Sequence, residues 1–177
     1  MRPPEIIETR RLTLRQPLMT DAEEIFSAYT QDPEVVKYLT WRPHQNLEET
    51  RDYLRRCISV WEDGSAYPWM ITRKEDGRLI GIIESRVKNF SMDIGYVLAK
   101  PYWGHGYMPE AARSIIDWGL SQDTIFRVWA SCDVDNLASA RVMEKIGMRR
   151  EGILRRWVIH PNVSEEPRDA YCYSIVK

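Results

Sequence analysis

The sequence predicts a single α/β domain built on a mixed, mostly antiparallel twisted sheet with helices packed on it. Three observations carry that prediction. Apolar residues switch repeatedly between the two-residue alternation of strands and the three-to-four-residue spacing of helices. The C-terminal half runs strand, helix, strand, helix, strand, strand, and one helix between two strands makes them parallel neighbours through a right-handed crossover. The chain has 177 residues, 44% of them hydrophobic, which supplies one core rather than two, so the domain is expected to fill residues 1–177.

The elements follow in order. Leu12 and Leu14 alternate with polar neighbours in a first strand over Thr9–Arg15. Thr20-Asp21-Ala22-Glu23 has capping-box spacing and starts a helix running to about Tyr29. Asp32-Pro33-Glu34 starts a second, with proline suited to the first turn. Asn46-Leu47-Glu48-Glu49 starts a longer one, with Leu54, Ile58 and Trp61 on one face and Gly64 at its end. Tyr67–Arg73 and Leu79–Val87 read as a hairpin turned at Glu75-Asp76-Gly77. Strands are expected over 92–99, 126–132, 152–160 and 170–176, and helices over 109–121 and 137–146. The strands at 92–99 and 127–132 are the parallel pair.

Composition narrows the function. Lys and Arg total 25 against 26 Asp and Glu, a net charge of −1, whereas proteins that live on phosphate contacts carry a basic excess. Nucleic acid is therefore not an expected partner. No apolar stretch approaches the roughly 20 residues a membrane span needs, and Met1–Arg11 lacks the pattern of a signal peptide. Cys57, Cys132 and Cys172 are odd in number and widely spaced, which reads as free thiols in the cytoplasm, with no cysteine–histidine spacing for a metal.

The chemistry lies in the loop after the central strand. Pro101-Tyr102-Trp103-Gly104-His105-Gly106-Tyr107-Met108 joins a strand to a helix. Such a loop aims backbone N–H groups at one point, and the helix dipole adds positive potential there. Gly104 and Gly106 let the backbone approach an anion with no Cβ in the way. Pro109 occupies the third glycine position of a dinucleotide fingerprint, and no Gly-Lys-Ser/Thr follows for a Walker loop. The loop alone says anion.

A second motif, Asn136-Leu137-Ala138-Ser139 continuing through Val142-Met143-Glu144-Lys145-Ile146-Gly147-Met148, identifies it. Together with Trp103-Gly104-His105-Gly106-Tyr107-Met108-Pro109-Glu110-Ala111, and an opening strand over Glu8–Leu14, it resembles the GNAT superfamily of acetyl-CoA-dependent N-acetyltransferases. The likeness is greatest to the RimJ/RimL-like branch, whose type members acetylate ribosomal-protein N-termini. The resemblance implies a central parallel strand pair that splays to admit acetyl-CoA, with helices on both faces.

It also implies a site. The amides from Gly104 through His105, Gly106 and Tyr107 to Met108, with Trp103 leading into them, would hold the pyrophosphate. Pantetheine would add to the strand edge at Val97, Leu98 and Ala99. Asn136 would bond the pantetheine arm, and Ser139 would sit near the thiol. Two departures stand out. Met108 replaces the family's small residue and must turn its side chain away. Met143 replaces the tyrosine that protonates the leaving thiolate in many members.

Acetyl transfer needs a neutral amine, an oxyanion donor and a proton for the thiolate. Asp93 is the first candidate base, where many members keep a glutamate, and Glu84 the second; both also read as solvated strand carboxylates. Ser139 is the remaining acid in the matched motif, and both it and Asn136 also read as residues of a helix start. The amide near Leu98 would meet the oxyanion. Trp61, Trp118 and Trp129 read as core, His44 and His160 as isolated, and Arg149-Arg150 and Arg155-Arg156 as solvated faces or adenosine-phosphate contacts. The acceptor reads as a peptide α-amine, with an aminoglycoside or polyamine as the rival and a non-catalytic acyl-CoA sensor as a third reading. Monomer and homodimer both remain open.

Overall fold

Alternation at Leu12 and Leu14 and at Trp69 and Ile71 sends large apolar side chains to one face of successive strands, where all four are fully buried. The structure, a computed structural model, describes residues 2–177. Eight strands form one sheet: β1 (Ile6–Glu8), β2 (Leu12–Arg15), β3 (Tyr67–Arg73), β4 (Leu79–Lys88), β5 (Ser91–Leu98), β6 (Arg127–Asp133), β7 (Arg149–Val158) and β8 (Arg168–Val176). Their order is β1-β2-β3-β4-β5-β6-β8-β7. Every neighbouring pair is antiparallel except β5 and β6.

The helices are α1 (Ala22–Ile25), α2 (Pro33–Val36), α3 (Leu47–Asp63), α4 (Tyr107–Ser121) and α5 (Leu137–Lys145). Asp32 caps α2 through the amide of Glu34, and Asn46 caps α3 through that of Glu49. Helices cover both faces, as predicted. On one, Ala111, Ala112, Ile115 and Ile116 of α4 join Ile83, Met92, Ile94 and Val128 of the sheet. On the other, Ile25, Leu54 and Cys57 join Met70, Leu79 and Ile82.

The parallel pair decides where the site lies. β5 and β6 pair only at Ser91 with Arg127, Met92 with Val128 and Asp93 with Trp129. Beyond Asp93 the two strands continue to Leu98 and Asp133 without pairing to each other, so the sheet forks at its centre. The expected splay is present.

Three local expectations are corrected. The opening segment is two strands, because Thr9 turns the chain by donating its amide to the Leu12 carbonyl and accepting the Leu12 amide on its hydroxyl. The first helix starts a turn early, as a 3-10 turn over Met19–Asp21 before α1, and continues as a π turn over Phe26–Thr30. Asp21, not Thr20, controls that start: its carboxylate accepts the Leu18 amide and a bidentate pair from Arg15. Trp129 is not core. It lies half-buried with its ring 6.5 Å from that of the exposed Trp157, whereas Trp61 is buried and Trp118 packs against the main core.

Candidate active site

The fork opens into a cleft of about 660 Å³. Tyr96, Val97 and Leu98 of β5 form one side, and Asn136, Ala138, Ser139 and Val142 of α5 the other. Trp103, Gly104, Gly106 and the first residues of α4 close one end, while Val35, Tyr38 and Leu39 wall the mouth beside α2. The cleft therefore passes through the sheet, from the α4–α5 face to the α2 face.

The loop at its end has a backbone that could hold an anion. Gly104 and Gly106 have φ of 80° and 78°, a left-handed conformation that costs any other residue roughly 1–2 kcal/mol. α4 begins at Tyr107 with no side-chain cap, so its first amides are left for a ligand. Arg141 and Lys145, one helical turn apart on α5, line the same cleft and add positive charge. Met108, expected to turn away, buries its side chain in the core. His105 has an exposed side chain that bonds the Trp103 carbonyl at 2.8 Å and is not among the cleft-lining residues.

A carboxylate braces this loop from behind. Glu110, in the first turn of α4, accepts the Thr9 hydroxyl at 2.7 Å, the Arg11 amide at 2.8 Å and the Arg11 guanidinium at 2.6 Å. The same guanidinium donates to the His105 carbonyl and lies 4.4 Å from the Tyr107 ring centroid. Burial raises the Glu110 carboxyl, but these donors outweigh it and hold the group below the usual range.

At the strand edge two expectations are corrected: Val97, in register with Ile82, and Ala99 both turn their backbone groups towards β4. Ala99 donates its amide to the Ile80 carbonyl on β4 and accepts from Tyr102, so its backbone points away from the fork. Alternation then turns the amides and carbonyls of Tyr96 and Leu98 towards the open side. The Leu98 carbonyl accepts the Trp103 indole N–H at 2.6 Å.

On α5, Asn136 accepts the Ser139 amide at 3.2 Å as helix cap. The Ser139 hydroxyl lies 2.8 Å from the Tyr96 phenol oxygen. Burial pushes the Tyr96 phenol up, with the Ser139 bond opposing it. Met143 is fully buried, so α5 offers Ser139 as the hydroxyl donor in the cleft. Cys132, whose thiol interacts with Ser139, is pushed up to about 11 by burial, which leaves almost no thiolate at neutral pH to act as a covalent nucleophile.

Asp93 and Glu84 come together, but not in the cleft. Arg86 donates Nε to Asp93 at 2.8 Å and Nη1 to Glu84 at 2.6 Å, so one guanidinium holds both. By alternation from the core residues Met92 and Ile94, all three face the α1–α3 side of the sheet. Asp93 occupies the last paired register before the fork.

Several residues escaped the sequence reading. Arg141 and Lys145 share helical spacing with Ala138 and could have been found from it. Tyr96 alternates with Ile94, but its contact with Ser139 spans 43 residues and has no local signal. The two histidines are not isolated. His44 Nδ1 lies 2.8 Å from the Thr50 hydroxyl, and His160 is buried with Nε2 3.8 Å from Asp133. The arginines on β7 serve the surface: Arg150 lies over Tyr171, and Arg156 pairs with Glu166. Among the described residues, no group of three or more His, Cys, Asp or Glu is placed to hold a metal. No helix among them is long and apolar enough to cross a membrane.

The family model for the acetyltransferase (GNAT) domain matches residues 11–149. The uncharacterized N-acetyltransferase YoaA of Bacillus subtilis (strain 168) is 31% identical over 175 residues, covering 97% of each chain. Microcin C7 self immunity acetyltransferase MccE, solved in complex with acetyl-CoA and AMP, superposes with a TM-score of 0.88 at 24% identity, over 99% of this chain and 98% of that one. RimL, the ribosomal L7/L12 alpha-N-protein acetyltransferase solved with coenzyme A, superposes with a TM-score of 0.85 at 21% identity, over 97% and 98%.

Proposed function

The chain belongs to the GNAT acetyltransferase family, and from that premise we propose that its acceptor is the α-amine of a peptide or protein. It is an acetyl-CoA-dependent N-acetyltransferase, and acetyl-CoA supplies the activated acetyl group as a thioester. The cleft fits this donor. The amides of Gly104 to Met108 would take the pyrophosphate, with Arg141 and Lys145 near the phosphates. The open edge at Tyr96 and Leu98 would take the pantetheine amides. Ser139 would meet the sulfur, and the Leu98 amide the carbonyl oxygen.

One observation carries the acceptor assignment: the acids lining the cleft, and the carboxylates on the strands behind it, are already committed to cations. Glu34 pairs with Lys100 and Asp135 with Arg168, while Arg86 holds Asp93 and Glu84. An acceptor that needs a strong base finds its candidates engaged. An α-amine has a pKa of about 7.7–8.0, so about a tenth is neutral at pH 7, against fewer than about one in a thousand for a lysine side chain near 10.4. Water relayed to Asp93 then suffices for the remaining proton. The RimL neighbour, whose named activity is on an α-amine, supports the same reading. The buried, unpaired Cys57, Cys132 and Cys172 suit a reducing compartment such as the cytoplasm.

A small-molecule amine is the second reading, favoured by the MccE neighbour, solved in complex with acetyl-CoA and AMP. Acetyl-CoA turnover, read as free thiol, separates the two across N-terminal peptides, polyamines and aminoglycosides. Turnover with a free-N-terminus peptide, abolished by blocking that terminus while leaving a lysine in place, is the expected result. Turnover with polyamines or aminoglycosides alone would replace the peptide reading. Acetyl-CoA binding without turnover anywhere would favour a sensor.

A further inference from the structure

We propose that Tyr96 is a positioning residue for the leaving thiolate, acting through Ser139. This rests on the reading of Ser139 as the hydroxyl beside the sulfur. The two side chains come from opposite sides of the fork, β5 and α5, and meet at 2.8 Å, with the phenol oxygen also 3.2 Å from the Ser139 carbonyl. Both residues line the cleft and both are half-buried.

A serine hydroxyl carries one proton and two acceptor positions. The Ser139 carbonyl lies in a helix, where an amide four residues on is its natural donor. The phenol proton is therefore best spent on Ser139 Oγ, the shorter of its two contacts. Tyr96 fills one acceptor position and the protonated Cys132 thiol, which also interacts with Ser139, can fill the other, so Ser139 is left to direct its own proton into the cleft. Asn136 fixes the same residue from the backbone side by capping its amide. Burial pushes the phenol up, so Tyr96 keeps its proton through the pH range in which an α-amine reacts.

The chemistry balances. As the new C–N bond forms and the C–S bond breaks, the bonding pair stays on sulfur, which accepts the Ser139 hydrogen bond. The acceptor nitrogen loses one proton on becoming an amide, and the sulfur gains one to leave as a thiol. Solvent connects the two. Tyr96 is neither consumed nor oxidised, and its contribution is the direction and strength of the Ser139 hydrogen bond.

The test compares Tyr96→Phe, Ser139→Ala and the double variant in the full chain. Phenylalanine keeps the ring and removes the hydroxyl. The expected result is a kcat about tenfold lower in Tyr96→Phe, with KM and affinity for acetyl-CoA within twofold of the parent. The double variant should be no slower than Ser139→Ala. A readout independent of turnover is calorimetric binding of CoA against desulfo-CoA from pH 7 to 9.5. A hydroxyl aimed at sulfur favours the thiolate, so the parent should gain affinity for CoA relative to desulfo-CoA as pH rises. Tyr96→Phe should flatten that gain. Multiplicative effects of the two substitutions, or a Tyr96→Phe protein with normal kcat and unchanged CoA pH dependence, would overturn the inference while leaving Ser139 at the sulfur. A Ser139→Ala protein normal in both readouts would instead remove the Ser139 reading, and this inference with it.

Discussion

Arg11, in the turn just before β2, and Glu110 on α4, 99 residues apart, are joined twice: backbone amide to Oε1 and guanidinium to Oε2. The pair fixes the start of α4 against the sheet, behind the glycine loop that lines one end of the cleft. Binding a phosphate there requires several amides to converge, and a loop that must first be ordered binds more weakly. Glu110→Gln keeps one acceptor oxygen and loses the charge. The expected outcome is an acetyl-CoA Kd raised about fivefold, with stability lower by about 1–2 kcal/mol because a charged hydrogen bond is weakened. Calorimetry and thermal melting check the two halves. An unchanged Kd would show that the loop holds its shape without this brace.

What the sequence could and could not say follows from the range of each interaction. Strands and helices were readable because period and caps are local, as at Asn46, Asp32 and Gly64. The parallel pair was readable because one helix between two strands fixes their relation. Alternation says which residues share a face, but not whether a helix covers it; Trp129 points to the face where no helix buries it. Asp21 displaced the Thr20 cap because Arg15 and the Leu18 amide both lay within reach of one carboxylate, a tertiary choice that four-residue spacing does not encode. The glycine loop was readable as a tight strand-to-helix turn from its residues alone, because Gly104 and Gly106 are where the left-handed backbone falls. The Tyr96–Ser139 contact and the Arg86 clamp depend on strand register and on where a helix docks, so they emerge only once the sheet is assembled.

Acid stability should fall in two windows. Burial holds His160 below its usual value, with the nearby Asp133 opposing, and His44 is likewise lowered by burial. For such groups stability is present above the unfolded value, about 6.5, and declines as pH falls, because the unfolded chain takes the protons first. The carboxylates follow. Glu151 is held at about 2 by Arg127 and Ser174, while Asp133 is lowered by Arg168 against the cost of its burial. Their contribution is present above about pH 4 and is lost as pH falls towards 2. A melting temperature flat from pH 7 to 8, sloping gently below about 6.5 and steeply below about 4, is expected. His160→Gln should remove part of the gentle slope alone. Asp133→Asn, which strips a fully buried partner from Arg168, should cost about 3 kcal/mol at neutral pH. A melting temperature that rises between pH 6.5 and 5 would contradict the histidine assignment.

Asp93 sets the sharpest test of how the amine loses its proton. It stands at the last paired register before the fork and on the α1–α3 side of the sheet. Its carboxylate, however, is engaged by Arg86, which also holds Glu84. A free general base placed on its substrate is worth about 10²–10⁴ in rate; a carboxylate committed to a guanidinium and reached through water should be worth far less. Asp93→Asn is therefore expected to lower kcat about three- to tenfold, with acetyl-CoA affinity unchanged because the loop and strand edge are untouched. Glu84→Gln should have a smaller effect. In both variants kcat/KM should still rise through about pH 7.7–8.0, the ionisation of the α-amine itself. A loss beyond a hundredfold in Asp93→Asn, with that rise displaced, would make Asp93 a strong base that Arg86 releases when the acceptor binds. Lysine side chains would then become accessible acceptors, because Arg86 would no longer keep hold of both carboxylates.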